Sequence, residues 1–305
     1  GIDISDGSLE LANIQEQGKG TLRIGEHARV RLPFNTIQHG IIHDKETLSE
    51  ALKQLLADAQ LTGEGLNVVS ALPDAQVITK TIPLDDIEHV TTYAHLEELA
   101  QHSYQSLNLR INAPVLQWKY IRLPHGRAEL LLFVTSGDNV KQWLSFFKKH
   151  SIRLAVMEME SLSLARALVK RLSRHETVCI IDFGFRQTAF SVFDASGLRY
   201  SHAIEHGGYA ITKSISEKTG NTLSRAEEMK TATGMNTKKD AAIAELVHKE
   251  IEETLSIIKN SLKPYQAAIS RIEITGGGSR IFGIRTLTER MLHKPTTRGT
   301  IWVEP

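Results

Sequence analysis

Gly1-Ile-Asp-Ile-Ser-Asp-Gly-Ser8 and Ile180-Ile-Asp-Phe-Gly-Phe-Arg-Gln-Thr188 decide the fold. Each closes a short apolar strand on an aspartate and opens a polar, hairpin-like turn. A third stretch, Ile272-Glu-Ile-Thr-Gly-Gly-Gly-Ser-Arg-Ile-Phe-Gly283, ends a strand on a glycine triplet and then starts a helix. Small residues at such turns let backbone N–H groups and hydroxyls approach a polyphosphate, which needs donors from both sides. The carboxylates of Asp3 and Asp182 cannot take phosphate directly, because like charges repel; a Mg²⁺ with its waters would sit between them. Gly276, Gly277 and Gly278 leave a flat backbone surface suited to a purine face or to an α-phosphate at a helix N-terminus. One such segment is usually structural, whereas three in this order rarely arise by chance.

The chain has 305 residues, enough for about two domains, and its 36 basic and 35 acidic residues leave a net charge of +1. No basic tract or RNA-binding aromatic signature points to nucleic acid as a partner. Cys179, the single cysteine, lies in the apolar run Val178-Cys-Ile-Ile181; it reads as a buried small hydrophobe in a reducing compartment. No apolar run approaches the roughly 18 residues of a membrane span, so the chain reads as soluble. The start on a strand without Met fits a trimmed chain from which a membrane-binding tail could have been removed. The thirteen histidines lack Cys or carboxylate companions at metal-site spacing and read as solvated or locally bonded.

After the first turn, Leu9–Ile14 and Thr21–Arg31 alternate as strands. Thr47-Leu-Ser-Glu50 has the form of a capping box before the helical pattern of Leu48, Ala51, Leu52, Leu55, Leu56 and Ala59, which stops near Gly63. Leu66–Leu72 is a buried strand. A strand through Ile82, a helical stretch from about Asp85 to Tyr104, strands at Val115–Leu123 and Glu129–Val134, and a helix capped by Asp138 form a compact α+β insertion. Ile152–Met157 returns as a strand, with a helix over Glu160–Arg171. The second half repeats the plan with strands at Val178–Asp182, Thr188–Asp194 and Leu198–Ala203, a duplicated α/β unit with a ligand cleft between its copies. Helices over Ala210–Lys218, Ser224–Thr231 and Ala241–Leu262 form a lid, closed by Pro264.

With its two phosphate segments and adenosine segment in this order, the chain resembles the actin-like ATPase superfamily. Within it the chain is most similar to the PilM family of type IV pilus assembly, with FtsA next. Thr79-Lys-Thr-Ile-Pro-Leu84, Leu154-Ala-Val-Met-Glu-Met-Glu-Ser-Leu-Ser-Leu-Ala-Arg-Ala-Leu168, His206-Gly-Gly-Tyr-Ala-Ile-Thr212 and Ala226-Glu-Glu-Met-Lys230 extend the resemblance along nearly the whole chain. It implies an α/β, actin-like, ribonuclease H-like duplicated fold with an inserted small α+β subdomain. The expected division is 1–75 with 151–175, the insertion 76–150, 176–209 with 263–305, and the helical lid 210–262.

The resemblance assigns Asp3 and Asp182 to Mg²⁺ through water, and Ser5, Ser8, Gly184 and Thr188 to the phosphates of ATP. Ser5 stands where these loops usually have Gly, and Arg186 and Gln187 replace small residues; Arg186 could pair with a phosphate or fill the site. Glu227 and Lys230, three apart on one helix face, fit the ribose hydroxyls and the base, or an ordinary helical ion pair. Gly276 to Gly278 complete the cradle, with Gly207 and Gly208 turning toward it from the lid. Glu160 is the candidate for orienting water against the γ-phosphate, the alternative being charge stabilisation at a helix N-terminus. At most a slow ATPase is expected.

By resemblance, the function is that of an ATP-binding cytoplasmic scaffold of a type IV pilus or related secretion apparatus, peripheral at the inner face of the inner membrane. Its partner would be the N-terminal peptide of a PilN-like bitopic membrane protein; other pilus components and self-association stay open, and the membrane is reached only through partners. Val77, Trp118 and Tyr120 are compatible with a peptide groove, or the aromatics pack the insertion's own core. The segment Tyr93–Leu107 departs from the family's usual acidic-aromatic helix. An FtsA-like filament protein or a small-molecule kinase of the same superfamily are the alternatives.

Overall fold

A computed structural model describes residues 1–16, 18, 22–84, 92–123, 126–169 and 172–301, which fall into two compact units meeting at Glu160/Ser161. In the first unit, β1 (Ile2–Ile4), β2 (Ser8–Glu16) and β3 (Leu22–Arg31) form an antiparallel sheet in that order. A two-rung hairpin, β4 (Ile37–Gln38) and β5 (Ile41–Ile42), precedes α1 (Lys45–Asp58). Next come β6 (Asn67–Leu72), β7 (Ile78–Leu84), α2 (Tyr93–Ser106), β8 (Pro114–Arg122), β9 (Ala128–Ser136), α3 (Gly137–Lys149) and β10 (Arg153–Met159). β10 pairs in parallel with β6, while β7, β9 and β8 form a separate antiparallel sheet with β9 in the middle.

Leu48, Leu52 and Leu55 put the apolar face of α1 into a core shared with Ile2, Leu9, Ile37 and Val68. Asp44 caps this helix, its carboxylate accepting from the backbone of Glu46 and Thr47 at 3.1 and 3.0 Å. The capping box expected at Thr47–Glu50 therefore lies inside the helix, with the Thr47 hydroxyl donating to Asp44. Likewise Ser136, not Asp138, caps α3; Asp138 sits in the first turn, where its charge suits the helix dipole. Trp143, Phe146 and Phe147 of α3 are buried in the α1 core, whereas the smaller cluster of the inserted sheet holds Ala100, Leu130 and Leu132. The helix expected from Asp85 begins, among the described residues, at Tyr93, with Thr92 as its cap; residues 85–91 lie outside the description, as does Arg171 at the end of the next expected helix.

After α4 (Glu160–Leu168), the second unit runs through β11 (Val178–Phe183), β12 (Thr188–Asp194), β13 (Gly197–Ile204), α5 (Gly208–Thr219), α6 (Leu223–Thr233) and α7 (Ala241–Ser261). β14 (Arg271–Thr275), α8 (Ile284–Leu292) and β15 (Thr296–Arg298), the last not expected from sequence, complete it. The sheet order is β13-β12-β11-β14-β15, with β11 parallel to β14. All four residues of Val178–Ile181 are buried, as a central strand covered on both faces requires. Burial pushes the Cys179 thiol up to about 12, so the thiol stays protonated at neutral pH. Strand for strand, β3-β2-β1 and β6-β10 repeat β13-β12-β11 and β14-β15, with β1 running alongside β6.

Candidate nucleotide-binding site

The two aspartate hairpins share one register. Ile2, Asp3 and Ile4 stand opposite Leu11, Glu10 and Leu9, just as Ile181, Asp182 and Phe183 stand opposite Phe190, Ala189 and Thr188. Each turn is closed by the same bond, Ser5 N–H to the Ser8 carbonyl at 3.0 Å and Gly184 N–H to the Gln187 carbonyl at 3.0 Å. Ser5 thus occupies the place of Gly184, and Ser8 that of Gln187.

In the first turn the Ser5 hydroxyl accepts from Gly7 N–H at 3.3 Å and Ser8 N–H at 3.0 Å. The amides a phosphate would seek are therefore already satisfied from within. The Ser8 hydroxyl is buried and donates to Glu10 at 3.2 Å. Asp3 keeps contact with solvent, yet dense surrounding protein raises its carboxyl above the ordinary value; the facing Glu10 adds to this, and Arg29 opposes it. In the second turn Gly208 N–H donates to the Gly184 carbonyl at 3.0 Å, and Tyr209 N–H to that of Phe185 at 2.7 Å. The start of α5 is stitched onto the loop. A Cβ at Gly207 would lie 2.7 Å from three backbone atoms of residues 185–187, which is why the approach needs glycine. Arg186 lies over the Tyr209 ring at 5.5 Å. Thr188 is 1% exposed and its hydroxyl donates to the His206 carbonyl at 2.7 Å, so its proton is committed there rather than turned to a ligand.

The glycine triplet is used unevenly. At Gly276, φ is +77° and ψ 174°, and a Cβ would fall 2.1 Å from Asp182 Oδ1. At Gly278 it would meet Phe183 Cβ at 2.8 Å, but at Gly277 nothing stands within 4 Å. Two glycines pin the turn to the end of β11 and the middle one presents bare backbone. Close by, a small cleft is lined by Thr188, His206, Gly207, Gly208 and Gly278 among apolar neighbours.

Glu227 and Lys230 do come together, with Lys230 Nζ 2.7 Å from Glu227 Oε2. Lys230 is buried, and its other two protons go to the Gly208 carbonyl at 2.8 Å and the Thr212 hydroxyl at 2.9 Å. Burial lowers its pKa, against the pull of Glu227. With all three donors engaged, Lys230 braces the Gly207–Gly208 turn instead of reaching outward to a base. His206, quoted in sequence only as part of a motif, links Glu250 at 2.8 Å and Thr254 at 2.7 Å.

Glu160 is the first residue of α4, where its carboxylate suits the helix N-terminus. Val77 packs against the α1 core, whereas Trp118 and Tyr120 pack against the inserted cluster with Tyr93 5.0 Å from the Trp118 ring. β7 and β8 are the outer strands of the inserted sheet. Among the described residues no group of three or more His, Cys, Asp or Glu is arranged to hold a metal, and no helix is long and apolar enough to cross a membrane.

This duplicated sheet, with a hairpin after each first strand and a glycine turn at β14, is the actin-like ATPase fold. The chain belongs to the type IV pilus assembly protein PilM family, whose profile matches residues 1–298. It is similar to the chain solved in the PilM-PilN type IV pilus biogenesis complex, with a TM-score of 0.82 at 18% identity over 97% of this chain and 86% of that one. MreB 5 of Spiroplasma citri bound to AMPPNP gives a TM-score of 0.59 at 12% identity, over 98% of this chain and 90% of that one. The cell division protein FtsA of Buchnera aphidicola subsp. Acyrthosiphon pisum is 22% identical over 82% of this chain and 70% of its own length. The family expected from the sequence is the one found.

Proposed function

We propose that this chain is an ATP-binding scaffold of a type IV pilus or related secretion apparatus, peripheral at the cytoplasmic face of the inner membrane. Its partner in this reading is the N-terminal peptide of a PilN-like bitopic protein. The observation that carries the nucleotide reading is the bare backbone of Gly277 between two pinned glycines, beside Asp182 and the Gly184 turn. These residues fit an adenine nucleotide. Asp182 would hold Mg²⁺ through water, and Asp3 holds the matching register position in the first hairpin. Mg-ATP would supply a polyphosphate whose charge the metal screens. Asp182→Ala should weaken Mg-ATP binding about 10–100-fold, the usual loss when a metal site's supporting group goes. Unchanged affinity by calorimetry would count against the assignment.

With Lys230 and Thr188 committed internally, few groups remain for hydrolysis, and turnover is expected well below the roughly 1–100 s⁻¹ of kinases. Steady phosphate release in that range with no partner present would make the protein an enzyme, and Glu160→Gln should then abolish it. For the peptide, the outer strands β7 and β8 offer sheet edges of the kind extended peptides join. Because α3 belongs to the α1 core, the informative deletion spans 78–136 and keeps α3. It should abolish capture of a synthetic peptide of the partner's cytoplasmic N-terminus while sparing Mg-ATP binding; a folded deletion protein that still binds the peptide would place the groove elsewhere.

A further inference from the structure

The Ser5–Ser8 turn is joined to the inserted subdomain through the β4–β5 hairpin. At the tip of that hairpin His39 and Gly40 take left-handed conformations, φ +51° and +73°. Both of their amides point at Asp6: His39 N–H donates to Oδ2 at 2.8 Å and Gly40 N–H to Oδ1 at 3.2 Å. From the other side, the Gly40 carbonyl accepts from Trp143 Nε1 at 3.0 Å and Gln142 Nε2 at 3.2 Å, while Gln142 Oε1 accepts from Ile42 N–H at 3.1 Å. Gln76 donates to the His39 carbonyl. Gln76 stands just before β7, and Gln142 and Trp143 lie on the helix that follows β9, so one turn grips the chain where it enters and where it leaves the inserted sheet.

We propose that Asp6 is a positioning residue that couples the Ser5–Ser8 turn to the seat of the inserted subdomain. The inference rests on the nucleotide reading above. In the present arrangement the Ser5 hydroxyl holds the amides of Gly7 and Ser8. A phosphate taking those amides must displace that hydroxyl and shift the turn that carries Asp6. The carboxylate-to-amide bonds of Asp6 are charge-assisted and directional, so the 39–40 turn follows, and with it the hold on Gln142 and Trp143. The two occupants of the Gly7 and Ser8 amides, hydroxyl or phosphate, are the two states that such coupling requires.

The test is amide hydrogen exchange of the full chain with and without saturating Mg-ATP, alongside a Mg-ATP titration of each protein. In the wild type, Mg-ATP should change exchange over 38–42 and 137–149 by about fivefold or more, the lower end of ordinary site-to-site coupling. In Asp6→Ala the response at 137–149 should vanish while that of residues 5–8 persists, and Asp6→Asn, which keeps one acceptor oxygen, should restore part of it. A merely structural Asp6 would shift the melting temperature of the variant but leave the nucleotide response of 137–149 intact. Gln142→Leu removes two of the three α3 bonds to the hairpin without touching the first turn and should weaken the response at 137–149 even if Asp6→Ala fails to fold or to bind. Bound Mg-ATP with no response at 137–149 in the wild type, or an equal response in the wild type and the variants, overturns the coupling. A wild type that binds no Mg-ATP in the titration overturns the nucleotide reading first and the coupling with it.

Discussion

Gly276→Ala should strongly destabilise the second unit, while Gly277→Ala, one position on, should leave it folded. Gly276 sits at φ +77° and ψ 174°, a region essentially reserved for glycine, and its added Cβ would collide with Asp182 Oδ1 and the Phe183 carbonyl. Backbone strain and overpacking together cost about 4 kcal/mol. For a unit of this size that lowers the melting temperature by roughly 10 °C. Gly277 has open space where its Cβ would go, so its variant should melt with the wild type and lose only nucleotide affinity. Paired melting curves decide the matter: a Gly276→Ala protein as stable as the wild type would sink the account of the triplet.

Lys230→Met should be nearly as damaging, for an electrostatic reason. The lysine side chain is 7% exposed and serves three acceptors, so its loss takes the buried donor from the Thr212 hydroxyl and leaves the Gly208 carbonyl with the Thr212 hydroxyl as its side-chain donor. Glu227, at 43% exposed, keeps some water, which moderates the cost to about 3 kcal/mol. Adding Glu227→Gln should recover part of that loss, and a double-mutant cycle by denaturant unfolding measures the coupling. The pH dependence has a definite sign. Burial lowers the folded pKa of Lys230, so in the window between that and its ordinary value the unfolded chain binds the extra proton. Stability from this group therefore rises with pH through the window, and the rise should disappear in Lys230→Met.

Strong periodic signals made most of the fold legible. The run Val178–Ile181 reads as a strand with a buried cysteine because every side chain in it is apolar, and the leucine spacing of α1 reads as one buried face. The β4–β5 hairpin escaped because two-residue strands carry no period, and the cap of α1 was misplaced because Thr47-Leu-Ser-Glu50 has capping-box spacing while Asp44, three residues earlier, takes the amides of Glu46 and Thr47. At the candidate site, sequence marked the glycine triplet but could not say which glycine is bare, since that depends on where Phe183 and Asp182 sit. It paired Glu227 with Lys230 by spacing yet missed that Thr212 and Gly208 bury the ammonium. Asp6 was invisible as a joint because its partners lie 33 and 34 positions away.

The parallel pairing of β6 with β10 has a consequence for chain entropy. Bringing Leu72 and Arg153 into neighbouring strands means closing the long segment between them, and the cost of closure grows only with the logarithm of its length. Doubling or halving that segment changes the cost by about 0.6 kcal/mol. Residues 78–136 can therefore be exchanged for a module of quite different size at almost no thermodynamic cost to the sheet. Residues 137–149 cannot, because Trp143, Phe146 and Phe147 fill the core beneath it.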